Sequence, residues 1–534
     1  MKLLLIVIDG LAYHLTERFL YTLPTLQKIA EKGAYGSLES SYPSITPIAL
    51  ASLFTGVSPK VHGVVAPKVF VKGRKIQSSL SAFSSSSLLA DPLWAILGKR
   101  GFKTLVTSAP QSLPDIWKLD NTILFDPYKA KPKKCSEGTV IKEGENEGWG
   151  KKWIVKKGES GYEIDLEGQS LWLDVGRWSG PVISELECGE DKSEAVFFLH
   201  AREDGVYISP PSFLNYKWGN REGLIKDVWE NVVKKTGMML DGDYKSLNKG
   251  IISFDEYVKT AELSFNFFSE YSLYLLKKGD WDVGITYLPL VDNFQHLLYG
   301  IDDEKSYDYI HYAYRLADKF VSLHEGLAET LIVCSDHGIT KIKKRVYINK
   351  ILERINVLKM DDKNRVDWRR TKAYYGGGGI IRVNLRDREE AGIVSKREYP
   401  KLVRYIVKHL EGLTDERGEV VFTGIHMRDE PAGDRQGDIE LSVREYYSMS
   451  SSTDHIAEIE DVKPYVTATA DHGYYRKEDM YGVILMDGPT IAKGKKVKAR
   501  IIDVAPTVLK ILGISGWKME GRILTEVLNL GGKE

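Results

Sequence analysis

The sequence predicts a three-layer α/β/α core built on a mainly parallel sheet. Short apolar runs that end in polar, acidic or glycine residues occur at 3–10, 104–110, 282–289, 330–338 and 481–489. Because these runs are continuously apolar and do not alternate, they are typical of strands buried on both faces, as in a parallel sheet. Helical patterns lie between them at 253–277 and 306–327. Such alternation of strands and helices indicates helices packed on both faces of the sheet.

The composition favours a globular protein that neither coats nucleic acid nor crosses a membrane. The 534 residues include 74 Lys and Arg and 74 Asp and Glu, so the formal charge is zero, and 43% of the residues are hydrophobic. That hydrophobic fraction is enough for a core and excludes wholesale disorder. The balanced charge argues against a stable nucleic-acid partner. The apolar stretches fall short of the ~20 residues that a membrane-spanning helix needs.

The N-terminus and the cysteines indicate the cellular compartment of the protein. The first apolar run ends at Asp9, too early for the apolar core of a signal peptide. Cys135, Cys188 and Cys334 are odd in number and far apart in the sequence. This pattern excludes a disulfide scaffold and a zinc ribbon, and it fits a reducing compartment. We therefore expect a cytoplasmic protein.

Residues 128–249 differ from the rest of the chain. The stretch 129–160 is dense in Lys, Glu and Gly, short segments with β character follow it, and a helical pattern returns near 221–236. These changes predict a β-rich inserted subdomain at 128–249, carried by a core that consists of 1–127 and 250–534.

Carboxylates and imidazoles follow the predicted strands. In parallel α/β folds, ligands bind at the carboxyl ends of the strands. The residues expected near that edge are Asp9, Asp292, His296, Asp336, His337 and His472. Taken singly, each has an ordinary structural explanation. Together they supply the ligands of two adjacent divalent metals, for which this donor set favours zinc, with manganese or magnesium as alternatives. Two metals about 4 Å apart can stabilise the attacking and leaving oxygens of a displacement at phosphorus.

The segment 41–56, SYPSITPIALASLFTG, supplies a candidate nucleophile. Thr46 is a good N-cap residue, Pro47 suits the first helical position and Gly56 suits the helix end. A phosphoryl group would be stabilised at such a helix start. A threonine that only caps the helix is very common, and for this segment alone it is the preferred interpretation.

Taken as a set, these motifs make the chain resemble the type I phosphodiesterase/nucleotide pyrophosphatase family of the alkaline phosphatase superfamily. The resemblance runs from Asp9 to the C-terminus but does not cover the insert. Its motifs are the post-strand Asp9, PSIT before Pro47, TGVSPKVHG at 55–63, DNFQH, SDHG, the late HGYY…MYGVILMDGP run and IIDVAPTVLKILGI at 501–514.

The resemblance implies an alkaline-phosphatase-like core and a two-metal hydrolase. One metal would be held by Asp9, Thr46, Asp336 and His337, and the other by Asp292, His296 and His472. Thr46 would be the nucleophile and would form a phosphothreonine intermediate that water then hydrolyses. The implied substrate is a nucleotide or another phosphorylated small molecule, cleaved at a phosphodiester or pyrophosphate bond. Asp471, in the second Asp-His-Gly copy, is interpreted as structural.

The chain departs from the family pattern after His62-Gly63. Family members usually carry an Asn shortly after this dipeptide, whereas this chain has Ala66 and Pro67 near that position. Lys68 is therefore a candidate substrate-binding residue that would supply a charge instead. The departure leaves other chemistries open: a phosphomonoesterase, a phosphonate hydrolase, mutase-like phosphoryl transfer, or a degenerate protein that only binds a phosphorylated ligand.

Overall fold

An eight-stranded sheet forms the centre of the protein. The structure, a computed structural model, describes residues 2–132 and 134–529. The strands of the central sheet, in chain order, are β1 (Leu3–Ile8), β2 (Ala34–Glu39), β3 (Thr104–Val106), β4 (Thr122–Leu124), β5 (Val283–Leu288), β6 (Thr330–Cys334), β7 (Gly482–Asp487) and β8 (Lys495–Arg500). Their spatial order is β8-β2-β7-β6-β1-β5-β3-β4. Every neighbouring pair is parallel except the two that involve β7.

Helices surround this sheet and complete the predicted three-layer core. The helices of seven residues or more are α1 (Tyr13–Phe19), α2 (Pro24–Lys32), α3 (Thr46–Thr55), α4 (Leu93–Lys99), α5 (Glu222–Val228), α6 (Phe254–Lys278), α7 (Leu290–Leu298), α8 (Glu304–His324), α9 (Ile348–Arg354), α10 (Tyr399–Glu411) and α11 (Val504–Ile511). Among the described residues, none of these helices is both long enough and apolar enough to cross a bilayer.

The five apolar runs all became strands of the central sheet, and both helical patterns became helices. The two patterns correspond to α6 and α8. The prediction of a mainly parallel sheet is confirmed, with β7 as the exception. A run buried on both faces shows that a strand is interior but not which way it points, so the reversed direction of β7 could not be read from its residues.

The register of the three central strands explains why the predicted ligands meet. Ile8 pairs with Leu288 across β1 and β5, and Val7 pairs with Cys334 across β1 and β6. All three strands are parallel, so they end at the same edge of the sheet. The residues that follow them therefore converge there.

The β-rich insert forms three small antiparallel sheets. The largest contains the strands Gly144–Gly148, Lys151–Lys157, Gly161–Leu166 and Gln169–Asp174. The insert has its own apolar cluster, which includes Trp153, Tyr162 and Phe197. The helical return begins at α5 and packs into the main core through Trp229.

Within the insert, Cys135 and Cys188 form a disulfide across 53 residues of sequence. The sequence analysis did not anticipate this bond, which forms because the strand Val182–Cys188 ends beside the segment that carries Cys135. Only Cys334, buried at the end of β6, remains a free cysteine among the described residues.

A second small unit lies between β6 and β7, where the sequence analysis drew no boundary. Residues 342–462, called the cap unit below, contain α9, α10 and two sheets. The unit is held together by an apolar cluster separate from that of the central sheet, with Ile351, Tyr375 and Ile406 among its fully buried members.

Candidate active site

The predicted ligands meet where β1, β5 and β6 end. Asp9 directly follows β1, Asp336 lies two residues after β6, and Asp292 lies in the first turn of α7 after β5. Gly10 makes this convergence possible. Its φ is +69°, and a Cβ there would lie 2.9 Å from Oδ1 of Asp292, so only glycine fits both the backbone conformation and the space.

Thr46 and three ligands form the first cluster. Nε2 of His337 lies 3.2 Å from Oδ1 of Asp9 and 3.2 Å from Oδ2 of Asp336. The same nitrogen lies 3.1 Å from Oγ1 of Thr46. Asp9, Asp336 and His337 are buried, and their ligand atoms lie close enough together to hold one cation.

The second cluster lies beside the first. Nε2 of His296 lies 3.3 Å from Oδ2 of Asp292 and 3.1 Å from Nε2 of His472. Oδ1 of Asp292 lies 3.6 Å from the same His472 nitrogen. The ring of His472 also stacks on that of His337, with centroids 3.5 Å apart. The donor atoms of the two clusters therefore lie next to each other.

The hydrogen bonds of the three histidines identify their free nitrogens. Nδ1 of His337 contacts the Gly338 carbonyl at 2.9 Å, and Nδ1 of His296 contacts the Ala470 carbonyl at 2.8 Å. Nδ1 of His472 contacts the Ser44 carbonyl at 2.6 Å. A carbonyl only accepts, so each Nδ1 carries the proton and each neutral ring presents the lone pair of Nε2 to the site. Metal-ligating histidines are held in the same way.

Several carboxylate oxygens of the two clusters lack hydrogen-bond donors. Among the described residues, Oδ1 of Asp9, Oδ1 of Asp292 and Oδ2 of Asp336 are buried without a hydrogen-bond donor. The second oxygen of Asp9 accepts from the Tyr287 hydroxyl, and that of Asp336 accepts from the Gly10 N–H at 3.1 Å. Buried polar atoms are normally satisfied. Oxygens and imidazole nitrogens left free in this pattern fit two divalent cations.

The electrostatics of the clusters lead to the same conclusion. Burial and the charge of Asp292 raise the pKa of Asp9, and burial and the charge of Asp9 raise the pKa of Asp336 well above its ordinary value. Burial opposes the protonation of His337, but the charges of Asp336, Asp292 and Asp9 and the hydrogen bond to Asp9 together outweigh it and raise the pKa of His337 to about 10. Burial and the charge of His337 lower the pKa of His472 to about 3. Binding of a cation by these carboxylates and imidazoles would therefore be coupled to the release of protons from the groups whose pKa is raised.

Thr46 does not cap its helix. The N-cap residue of α3 is Ile45, and Thr46 is the first helical residue. Ile48 and Ala49 donate their N–H groups back to the Ile45 carbonyl, and Pro47 has no N–H. Among the described residues, the Thr46 N–H is thus the donor at the helix start that remains for a bound oxyanion.

Two residues that position the site were missed in the sequence. Ser44 accepts from Nδ1 of His472 through its carbonyl and from the Gly473 N–H at 3.0 Å through its hydroxyl. Tyr287, the penultimate residue of β5, donates to Asp9. The position of Ser44 inside PSIT was the available signal for it, whereas a tyrosine in an apolar run gives none.

Asp471 is held by the protein itself. Its carboxylate lies within ligand distance of His296 and His472, but Oδ1 accepts from the His472 N–H at 2.8 Å and Oδ2 accepts from the Ser448 hydroxyl. Both oxygens are therefore engaged, which agrees with the structural interpretation of this residue.

Lys68 lies against the cap unit. Its Nζ donates to the Tyr374 hydroxyl at 2.9 Å and sits over the Tyr374 ring. No contact among the described residues joins it to the two clusters, so its substrate-binding role stays a prediction. A Cβ at Gly378 would lie 3.0 Å from Cβ of Ala66. The run of four glycines at 376–379 thus packs against the position where the family Asn is absent.

Replacing His472 with alanine should empty one of the two metal positions. We expect the metal content of His472→Ala to fall from about two to about one per chain, because one of three ligands of the second cluster is lost. Elemental analysis of the purified protein measures this. The matched control is His409→Ala on α10, where Nδ1 also contacts a backbone carbonyl, that of Tyr405. Full metal content in His472→Ala would contradict the ligand assignment.

Tyr287→Phe should weaken metal binding without unfolding the protein. The Asp9 oxygen that accepts from Tyr287 loses its donor, and changes of this kind cost about 10–100-fold in metal affinity. Competition with a chelator measures the affinity. Tyr271→Phe is the control, because its buried hydroxyl donates to the Thr107 carbonyl at 2.7 Å, away from the clusters. Equal losses in both variants would contradict a role specific to Tyr287.

Comparisons with solved structures agree with this fold. The chain is similar in structure to human ectonucleotide pyrophosphatase/phosphodiesterase 5, with a TM-score of 0.52 and 14% identity over 99% of this chain and 100% of that chain. The murine protein gives a TM-score of 0.51 at 14% identity, with the same coverage. An inactive threonine-to-alanine variant of the murine protein in complex with AMP gives 0.52 at 13% identity, again over 99% and 100% of the two chains. At these identities the likeness shows the fold alone.

The sequence itself identifies the family. No curated protein matches the chain, but the family model described as type I phosphodiesterase/nucleotide pyrophosphatase matches residues 3–475. That span includes β1, α3, both clusters and the Asp-His-Gly copy at 471–473. This chain belongs to the type I phosphodiesterase/nucleotide pyrophosphatase family of metal-dependent hydrolases.

Proposed function

We propose that the protein cleaves phosphodiester or pyrophosphate bonds of nucleotide-like substrates by way of a phosphothreonine intermediate on Thr46. The observation that carries this proposal is the position of the Thr46 hydroxyl, 3.1 Å from the free nitrogen of His337. This contact with a predicted metal ligand is not required of a threonine that only begins a helix.

The proposed first cation is held by Asp9, Thr46, Asp336 and His337, and the second by Asp292, His296 and His472. Zinc is the favoured metal because the donors are imidazoles and carboxylates in sets of three or four. When bound, the two cations would favour the alkoxide of Thr46 and stabilise charge on the oxygens around phosphorus.

Thr46 then carries the covalent step. Its Oγ1 forms a bond to phosphorus while the bond from phosphorus to the leaving oxygen breaks. Water next attacks the same phosphorus, and the bond to Oγ1 breaks to regenerate the hydroxyl. The Thr46 N–H lies at the start of α3 and supports the negative charge that develops on a phosphoryl oxygen.

A cavity of about 540 Å³ opens beside the second cluster and supports an organic substituent on the phosphorus. His296 and Asp471 line one end of it. The apolar wall includes Met238, Met239 and Tyr257, and segments of the insert form part of the lining. In the murine relative, the ligand in the complex is AMP. A nucleoside is the organic group that we propose for this cavity.

We also propose a cytoplasmic location. The Cys135–Cys188 disulfide is compatible with this location in an organism whose cytoplasm retains disulfides, as in hyperthermophiles. In other organisms such a bond is typical of oxidising compartments.

Diester preference separates this function from the alternatives. We expect kcat/KM for a bis-aryl phosphodiester to exceed that for the matching aryl phosphomonoester by about tenfold or more, because the site offers room for a second substituent. Both values would be measured with zinc or manganese supplied. A monoester preference would contradict the proposal and favour a phosphatase or a mutase. A protein that turns over neither substrate would fit a degenerate phosphate binder.

Thr46→Ala should abolish turnover while metal stays bound. Thr46 is one of four ligands in its cluster, so the metal content should persist. The loss of the nucleophile should lower kcat on the order of a thousandfold or more. Thr46→Ser, which retains a hydroxyl, is the matched control and should keep measurable activity. Turnover of Thr46→Ala at the wild-type rate would remove Thr46 as the nucleophile.

A further inference from the structure

A guanidinium from the cap unit lines the cavity beside the second cluster. Arg345 lies on the strand Lys344–Tyr347 of the cap unit, and it lines the same cavity of about 540 Å³ as His296 and Asp471. Its side chain is 29% exposed. Arg345 belongs to neither ligand cluster, yet it places a positive charge next to the second one.

The strand pairing of the cap unit explains this position. Arg345 is the register partner of Ser448 on the neighbouring parallel strand, so the two side chains lie on the same face of the sheet. The Ser448 hydroxyl donates to Oδ2 of Asp471, and Oδ1 of Asp471 accepts from the His472 N–H at 2.8 Å. The strand that carries Arg345 is thus attached to the segment that carries a ligand of the second cluster.

The guanidinium of Arg345 has open hydrogen-bond donors. Its Nη2 lies 3.9 Å from Oδ2 of Asp471, which is beyond hydrogen-bond distance. Among the described residues, no acceptor lies closer to the guanidinium. A guanidinium carries five N–H donors, and an arginine that served only to stabilise Asp471 would donate to its carboxylate directly. The position of Arg345 therefore fits a contact with a ligand in the cavity.

The two lysines that line the same cavity are already engaged. Lys131 donates to Asp241 at 2.6 Å, and Lys245 donates to the Ser136 hydroxyl at 2.6 Å. Of the lysines and arginines in this lining, Arg345 alone has a charged group without a hydrogen-bond partner in the part of the chain that the structure describes. It is therefore the cation most available to an anionic group that enters the cavity.

The site has room for a further charged donor. The chain lacks the family Asn after His62, and Lys68, which was expected to replace it, donates to Tyr374 instead. At the start of the helix that carries Thr46, one backbone N–H remains for a phosphoryl oxygen. A phosphoryl group in transfer spreads its charge over three oxygens. One N–H therefore leaves oxygens for another donor to bind.

We propose that Arg345 binds a non-bridging oxygen of the phosphoryl group that Thr46 attacks. Two parallel N–H groups of a guanidinium match the oxygens of a phosphoryl group. The inference rests on the proposed function and makes it more specific: the cap unit supplies the donor that is missing after His62. Inorganic phosphate carries the same kind of oxygens, so this ion is a direct probe of the contact.

Binding of inorganic phosphate to the metal-loaded protein tests the contact without turnover. We expect the dissociation constant, measured by calorimetry, to rise by about tenfold or more in Arg345→Ala, because one charge-assisted hydrogen bond is lost. The value of kcat/KM for bis(p-nitrophenyl) phosphate should fall by a similar factor. Arg345→Lys, which keeps the charge but not the paired N–H groups, should recover part of both losses. The metal content of both variants should equal that of the wild type.

A matched control separates the local contact from the overall charge of the cap unit. Arg369 is 92% exposed in the same unit and does not line the cavity, so Arg369→Ala should keep the wild-type affinity for phosphate. Wild-type affinity in Arg345→Ala would overturn the inference and leave the proposed function intact. Loss of metal from Arg345→Ala would also overturn it, because Arg345 would then act through Asp471 and His472. A wild-type protein that binds phosphate through Arg345 but hydrolyses no phosphate ester would overturn the proposed function and not the phosphate contact.

Discussion

The active site depends on one electrostatic constraint, the crowding of three carboxylates at one edge of the central sheet. Asp9, Asp292 and Asp336 each bury an oxygen with no hydrogen-bond donor among the described residues. Burial raises the pKa values of Asp9 and Asp336, and the charge of Asp292 on Asp9 and of Asp9 on Asp336 adds to this effect. Such an arrangement is costly unless positive charge is bound. Three features place donor atoms at this edge. They are the hydrogen bonds that orient His296, His337 and His472, the glycine at position 10 and the contact of Thr46 with His337.

Backbone geometry maintains this crowding. β1 pairs in parallel with β5 on one side and with β6 on the other. The residues that follow these three strands therefore lie at the same edge of the sheet. The chain then turns sharply at Gly10, whose N–H donates to Asp336 and whose Cα faces Asp292. The segment 471–473 is held beside the segment that carries Thr46, because Ser44 forms hydrogen bonds with both His472 and Gly473. The segment that carries Thr46 and the second cluster are thereby fixed to each other.

The two additions to the core divide the surroundings of the site. The β-rich insert contributes to the lining of the cavity beside His296, and the cap unit borders a separate cavity against the core. The missing family Asn at Ala66 is consistent with a change in how the phosphoryl group is held, since the glycine run of the cap unit packs at that position.

The sequence by itself determined the core strands, the long helices and the six carboxylate and imidazole side chains that are candidate metal ligands. Burial on both faces of a strand and polar residues after a strand are local patterns. It also located Thr46, although its interpretation as a helix cap was wrong. Only the tertiary structure decided the rest. The direction of β7, the Cys135–Cys188 pairing and the cap unit depend on contacts between residues far apart in the chain. The roles of Ser44 and Tyr287 depend on which distant groups their side chains and carbonyls contact, and no local pattern of residues encodes that.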